Sequence, residues 1–446
     1  MKKNQITTRA MSSVAVSVCL AGGGHVNGQV IQQVQKLAVD DAESEDLFGK
    51  TIAIDSGIIA VGSEEDDDNG SRSGSVYLYD ASSGEFLRKL LPEDGRSFAF
   101  FGTSVDIHNG VVAVGARGDL ANGPGSGAAY IFDASTGVQI AKLVPEDGMK
   151  HDFFGYSIAV KDGVVAVGAV NNDTNGDGSG AAYLFDLSGA QITKIAPDDG
   201  QSADVFGRSV AIDNGIVAIG ANGYDGMWWE DSGAVYLFDV STGLLFDQVY
   251  PNTTVLGQGF GLSVAMDDGL LVVGSSDSSF IFDVASGEQL FRLRSREDYI
   301  GDGRDVSVDI DNGVVVLGAP YHDESGSDSG VAYYFNVATG RQFAKVLPSD
   351  GASNDKFGAA VAIDNGVVVV GAYRAGSNGI DSGAGYVFDV TCPSDLTLSG
   401  NLNFFDVSAF LQAFSNQSMV ADFTNDGVFD FFDISAFLYA YNAGCP

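Results

Sequence analysis

Hydrophobic and polar positions alternate along most of this chain in short runs rich in β-branched and aromatic residues, each run closed by a glycine-containing turn dipeptide. That alternation is the signature of half-buried strands, and such a dipeptide between two runs predicts a hairpin. In one stretch residues 104–107 and 111–114 flank Asn109-Gly110, while 128–132 and 138–143 flank Thr136-Gly137. This unit of four predicted strands recurs roughly every fifty residues. Its first turn appears seven times: Ser56-Gly57, Asn109-Gly110, Asp162-Gly163, Asn214-Gly215, Asp268-Gly269, Asn312-Gly313 and Asn365-Gly366. Its second turn returns at Ser83-Gly84, Ser188-Gly189, Thr242-Gly243, Ser286-Gly287 and Thr339-Gly340.

A Phe-Gly dipeptide precedes six of the seven first turns, at Phe48, Phe101, Phe154, Phe206, Phe260 and Phe357. In the sixth copy Arg304-Asp305 stands in its place, so that copy keeps the hairpin and loses the dipeptide. Four-stranded units at this period predict an all-β, seven-bladed propeller. The seventh copy stops at Asp389, short of an outermost strand, and an unattached run at 30–37 precedes the first copy. In four copies a lysine lies twelve residues before the next Phe (Lys89, Lys142, Lys194, Lys345), and Lys36 keeps the same distance to Phe48. The N-terminal strand is therefore expected to complete the last blade, which removes an open sheet edge.

Composition then adds a compartment. With 59 acidic and 23 basic residues the net charge is −36, which repels nucleic acid and anionic membranes. Residues 1–28 carry Lys2, Lys3 and Arg9 and then a short apolar run, which predicts a secretory signal peptide, leaving no transmembrane segment in the mature chain. Cys19 would leave with it. Residues 29–391 would form the propeller. In 392–446 the remaining Cys392 and Cys445 bracket a segment of different composition, and one disulfide stapling a small domain is expected.

That segment holds the sharpest chemistry. Asp422, Thr424, Asp426, Val428, Asp430 and Asp433 occupy positions 1, 3, 5, 7, 9 and 12 of an EF-hand-like calcium loop, with Gly427 at the tight turn. Six to eight oxygens suit a hard cation, and this spacing folds side-chain oxygens and one carbonyl about a point. The frame repeats as Asp395, Thr397, Ser399, Asn401, Asn403 and Asp406, with fewer carboxylates and weaker binding expected. Each loop leads into an amphipathic helix, with stripes Val407, Phe410, Leu411, Phe414 and Ile434, Phe437, Leu438, Tyr441.

The tandem units, with residues 403–411 echoed by 430–438, resemble a dockerin, and Cys392 with the terminal Gly444-Cys445-Pro446 resembles the GC-type variant. The resemblance implies calcium-dependent folding and docking to a cohesin-like receptor or surface anchor. The repeats over roughly 30–391 resemble the FG-GAP family, whose blades also build the integrin α-subunit head; the name-giving triplet survives as Gly318-Ala319-Pro320. That resemblance implies calcium in some of the loops after Gly-Ala. Six of these loops end in Ser-Gly, the fifth being cut short at 275–279. Asp173, Asn175 and Asp177 offer ligand spacing in the third, and Asp66 and Asp68 in the first; an acidic solvated turn is the equal alternative.

Other features are weighed against plainer readings. Arg117-Gly118-Asp119 matches the tripeptide that integrins bind and is read as loop. Trp228 and Trp229 could stack on a sugar or partner, or pack against a blade. Tyr77, Tyr130, Tyr183, Tyr236, Tyr333 and Tyr386 recur at one strand position and read as scaffold. His108, His151 and His322 fall at unrelated repeat positions, so no shared catalytic arrangement emerges. The expectation is an exported or surface-bound, non-catalytic binding or adhesion protein taking a protein or glycan ligand, tethered through calcium. A carbohydrate-active enzyme or lectin on the same anchor is the alternative.

Overall fold

The computed structural model describes residues 30–39, 43–225, 232–252, 259–276, 278–294, 306–376, 379–391, 404–416, 421 and 428–443. Within them the alternating runs form seven four-stranded antiparallel sheets. Blade one is Thr51–Asp55, Ile58–Ser63, Ser75–Asp80 and Phe86–Leu90; blade two is Phe101–His108, Val111–Ala116, Ala128–Asp133 and Gln139–Leu143. Asn109 and Gly110 both take positive φ, 49° and 77°, the geometry of a type I′ hairpin turn. Each innermost strand touches the innermost strand of the next blade, and the last touches the first, so the seven sheets close into a propeller around an axial channel.

Blade seven consists of Phe357–Asp364, Val367–Ala372, Ala384–Thr391 and, as its outer strand, Val30–Leu37 from the opposite end of the chain. The register places Lys36 opposite Tyr386, just as Lys89 faces Tyr77 and Lys142 faces Tyr130. The lysine spacing in the sequence is thus the imprint of one cross-strand pair.

The core lies between blades. Leu78 and Leu90 of blade one pack with Phe101, Val114 and Tyr130 of blade two, and Leu37 and Val387 of blade seven pack with Phe48, Ile59 and Tyr77 of blade one. A blade alone leaves both apolar faces wet; the ring buries them together. The Phe-Gly dipeptide is the fastener of each seam. Phe101 is fully buried, edge-on to Tyr130 and Phe132 at 5.5 and 5.8 Å, and its N–H donates to Ser73 O at 2.9 Å. The result is a parallel bridge between Phe101 and Gly74, the glycine of the preceding Ser-Gly. A Cβ on Gly74 would lie 1.9 Å from Phe101 O, and one on Gly102 2.7 Å from Ser75 O, so both positions require glycine.

Equivalent bridges join Phe48 to Gly383, Phe154 to Gly127, Phe206 to Gly180, Phe260 to Gly233 and Phe357 to Gly330. The seam between blades five and six would need a Ser-Gly from copy five and a Phe-Gly from copy six. Those are the two features the sequence lacks, so two apparent irregularities are the two halves of one missing fastener.

Near the C-terminus α1 (Phe404–Ser415) and α2 (Phe431–Ala443) share a small core. Phe410 and Phe437 stack at 4.0 Å with planes 4° apart, flanked by Val407, Phe414, Ile434 and Tyr441. The expected stripes were too wide. Leu411 and Leu438 are about half exposed, beside the seam along which Phe410 and Phe437 are buried.

Candidate functional site

The repeats separate scaffold positions from variable ones. The third residue after the Phe carries a hydroxyl in most copies: Thr51, Ser104, Ser157, Ser209 and Ser263 donate to Gly102 O, Gly155 O, Gly207 O, Gly261 O and Val306 O of the following blade. The residue just before it has no such duty and differs in every copy: Lys50, Thr103, Tyr156, Arg208, Leu262, Val306 and Ala359. These side chains ring the Phe-Gly mouth of the channel.

A cavity of about 630 Å³ opens there. Among the described residues its charged lining is Lys50, Arg117, Arg208 and Glu64. Glu64 is almost fully buried; it accepts from the Lys50 ammonium, from Thr103 Oγ1 at 2.8 Å and from Arg117 Nη2 at 3.4 Å. Burial pushes its carboxyl up, yet the neighbouring Lys50 and Arg117 outweigh that and hold it below the usual range. The cations also stand over aromatic rings: Arg117 is 4.4 Å from the Phe100 centroid, Arg208 5.0 Å from Tyr156 and Lys50 5.9 Å from Tyr373. Just outside, Lys356 lies 3.9 Å from the Tyr321 ring and pairs with Asp328 at 2.5 Å. Cation–π contacts fix flat, charged groups without neutralising them. Leu262, Pro320, Tyr321 and Tyr373 also line the cavity.

At the hairpin end a second cavity of about 270 Å³ is separated from the first by a collar of Ile52, Val105, Ile158, Val210, Val264 and Val361, which both share. Asp106 and Asp309 point into its wall. Asp106 accepts from Val160 N–H of the next blade at 2.6 Å, and Asp309 from Ile363 N–H at 2.7 Å. Burial, opposed by these donors, pushes each carboxyl up to about 7. At the rim Asp55 accepts from Asn109 N–H, Asp267 from Asn312 N–H and Asp311 from Asn365 N–H, each in the next blade, while Lys161 pairs with Asp213 at 3.1 Å. These carboxylates stitch blade to blade.

In the blade loops the acidic side chains meet lysines, tyrosines and main-chain N–H groups. Asp66 accepts from Tyr77 Oη and from the Lys89 ammonium, both at 2.8 Å, and Asp68 pairs with the same ammonium at 2.6 Å. Burial raises the Asp66 carboxyl, but Lys89 and Tyr77 more than reverse this. The ammonium also lies 4.7 Å from the Tyr77 ring centre. The device repeats: Lys142 and Tyr130 meet Asp94 and Asp119, Lys194 and Tyr183 meet Asp147, and Lys36 and Tyr386 meet Asp350. In the third loop Asp173 Oδ1 accepts from Gly178 N–H and Asn175 Nδ2 donates to Pro197 O at 2.6 Å, while Asp177 receives Ala203 N–H at its own carbonyl. Asp173, Asn175 and Asp177 therefore brace the turn, and among the described residues no three His, Cys, Asp or Glu side chains converge as a metal site. The lysine spacing was legible; its pairing with loop carboxylates was the missed signal.

Arg117-Gly118-Asp119 is no exposed tripeptide. Asp119 is 1% exposed and held by Tyr130 and Lys142, and Arg117 turns to Glu64. In the C-terminal helices Asp406 and Asp433 are both fully buried, and Asp433 Oδ2 accepts from Asp430 N–H at 3.0 Å. Phe404, Phe405, Phe431 and Phe432 face solvent, each at least 67% exposed. Residues 1–28, Trp228, Trp229, Cys392, Cys445, Asp395, Thr397, Ser399, Asn401, Asn403, Asp422, Thr424 and Asp426 lie outside the described residues.

Comparison with known proteins finds the FG-GAP repeat at 31–79, 85–132, 138–185, 190–238 and 341–388. Each matched segment starts on the outer strand of one blade and ends on the third strand of the next, so the family's unit is the seam. The stretch without a match contains blade five and the seam that lacks its fastener. No curated protein matches the chain. With the repeat spanning more than half of its residues and seven blades built on it, the chain belongs to the FG-GAP repeat family.

Proposed function

We propose that this is an exported, non-catalytic binding protein whose propeller is the recognition body and whose C-terminal loop-helix pair tethers it, through calcium, to a cohesin-like receptor or surface anchor. The observation carrying the tether is the repeat within that pair. Phe410 and Phe437 stack inside, whereas Phe404-Phe405 and Phe431-Phe432, related by the same spacing, face solvent. Two equivalent apolar patches on so small a body mark a docking surface. Asp406 and Asp433, at the twelfth loop positions, supply carboxylate oxygens of the kind a hard cation takes. Asp395, Asp422 and Asp426 would complete the ligand sets.

A binding role for the propeller fits its carboxylates. Those in the channel and loops accept main-chain N–H groups or lysine ammoniums, so they support the ring. The test is hydrogen exchange of the full-length protein with calcium and with chelator, followed by binding to a panel of cohesins. Protection of both helices by calcium, abolished by Asp426→Ala, is expected, as is calcium-dependent capture lost when the four phenylalanines become serine. Identical exchange with and without calcium would overturn the tether.

A further inference from the structure

We infer that blade four takes from a ligand the cation that the other six blades supply themselves: an alkylammonium group, received by Asp199 beside Tyr224, Tyr236 and Tyr250. This rests on the propeller being a recognition body and names its ligand class. The register between third and outer strands carries the comparison. In six blades a cation stands opposite an aromatic residue: Lys36 faces Tyr386, Lys89 Tyr77, Lys142 Tyr130, Lys194 Tyr183, Arg292 Phe280 and Lys345 Tyr333. Blade four keeps the ring, Tyr236, and sets the neutral Gln248 opposite it. In blades two, three and seven the lysine also meets a carboxylate that accepts from the tyrosine hydroxyl. Lys142 reaches Asp94 at 2.6 Å, and Lys194 and Lys36 reach Asp147 and Asp350 at 2.5 Å, each ammonium about 5 Å from its ring centre.

Blade four retains that carboxylate. Asp199 Oδ1 accepts from Tyr236 Oη at 3.0 Å and Oδ2 from Tyr224 Oη at 3.3 Å, and among the described residues no lysine or arginine pairs with it. Tyr224 stands where blades one and two carry Asp66 and Asp119, because the carbonyl of each accepts the N–H of the Ser-Gly glycine. An ion pair has thus been exchanged for glutamine and tyrosine around a carboxylate that stays. The Tyr224 ring centre lies 6.1 Å from that of Tyr236, at 87°, and 6.1 Å from that of Tyr250, at 40°. Tyr236 is buried behind, while Tyr250 and Asp199 are exposed, so the carboxylate and one ring meet solvent. Hydroxyl donors bring Asp199 no positive charge. An ammonium brings it, in place of the long Tyr224 bond, and the ring quadrupoles add to the attraction. One carboxylate among aromatic rings offers a metal ion too few oxygens, whereas an alkylammonium suits both its charge and its apolar walls.

The test is calorimetric titration of the full-length protein, in low salt with chelator, with Nα-acetyl-lysine methylamide, with its neutral Nε-acetyl form and with butylammonium. The lysine derivative is expected to bind and the neutral form not to. Affinity should fall roughly fivefold or more in Asp199→Asn and in Gln248→Lys. The second variant restores the lysine of the other blades, so the chain occupies the site with its own ammonium and the loss cannot be one of folding. Glu288→Gln, which removes an exposed charge beside the outer strand of blade five, should leave binding unchanged. Absence of binding, equal binding of the neutral form, or indifference to Gln248→Lys overturns the site. Butylammonium binding as tightly as the lysine derivative supports the site with a free amine as its ligand, and weaker binding supports it with a partner's lysine side chain. Calcium docking is read separately through the helices, so failure of the tether leaves this result standing.

Discussion

Replacing Asp106 by asparagine, alone and with Asp309→Asn, tests whether the inner half of the channel holds a pH-dependent penalty. In the unfolded chain both carboxyls ionise near about pH 4. In the ring burial pushes each up to about 7, although main-chain N–H donors pull the other way. A carboxyl raised on folding favours the folded state while it keeps its proton, so its contribution is complete below about pH 4 and is lost as pH rises through about 7. With one pKa unit equal to about 1.4 kcal/mol, each group forfeits about 4 kcal/mol when ionised, about 3 of it between roughly pH 5 and pH 8. The Asp106 charge adds to the upward push on Asp309. The assay is the urea midpoint of wild type and both variants across that range. Asparagine leaves one N–H facing an amide and lowers the whole curve, yet the fall with pH should be shallower in the single variant and shallower still in the double. Asp267, Asp311 and Asp364, also raised by burial, supply a background slope common to all three proteins. Parallel profiles would refute the reasoning.

Three further outcomes are expected. Lys142→Met leaves the buried Asp119 without its ammonium and should cost roughly 3 kcal/mol near neutral pH by chemical denaturation, whereas an unchanged unfolding midpoint would contradict the pairing. Gly74→Ala, which drives a Cβ against Phe101 O, should prevent a stable ring, whereas Gly57→Ala, in open space at positive φ, should cost about 1 kcal/mol; comparable unfolding midpoints would contradict the seam geometry. Phe410→Ala removes one face of the Phe410–Phe437 stack and should cost about 3–5 kcal/mol, seen as loss of exchange protection in the two helices with the propeller's transition unchanged.

Seven blades, their hairpins and the role of residues 30–37 were legible because strand periodicity and I′ turn chemistry are local, and a closed ring multiplies one local pattern. The partner of each Phe-Gly was not, since Phe101 meets Gly74 across a seam that no local signal marks. The same limit hid the mouth. Lys50, Arg117 and Arg208 come from three copies, and only closure of the ring brings them to one cavity. In the loops the acidic spacing left calcium and a solvated turn as equal readings, and it did not show that the Lys89 ammonium meets Asp66 and Asp68 from a strand that follows them in the chain, because the sequence shows spacing without direction. The width of the helical stripes was overstated for a related reason: periodicity gives the apolar face, and the number of neighbours decides how much of it is covered.

The closing strand also imposes an order in time. Val30–Leu37 is made first but pairs with Ala384–Thr391, and Gln33 Oε1 accepts from Ser349 N–H across 316 residues of chain. Loop closure over such a span is among the last events a folding chain can afford. An early segment must therefore stay unpaired while six blades assemble, and the ring gains its full cooperativity in one late step. Three of its eight residues are glutamine, Gln32, Gln33 and Gln35, and this composition offers little apolar surface to a premature partner.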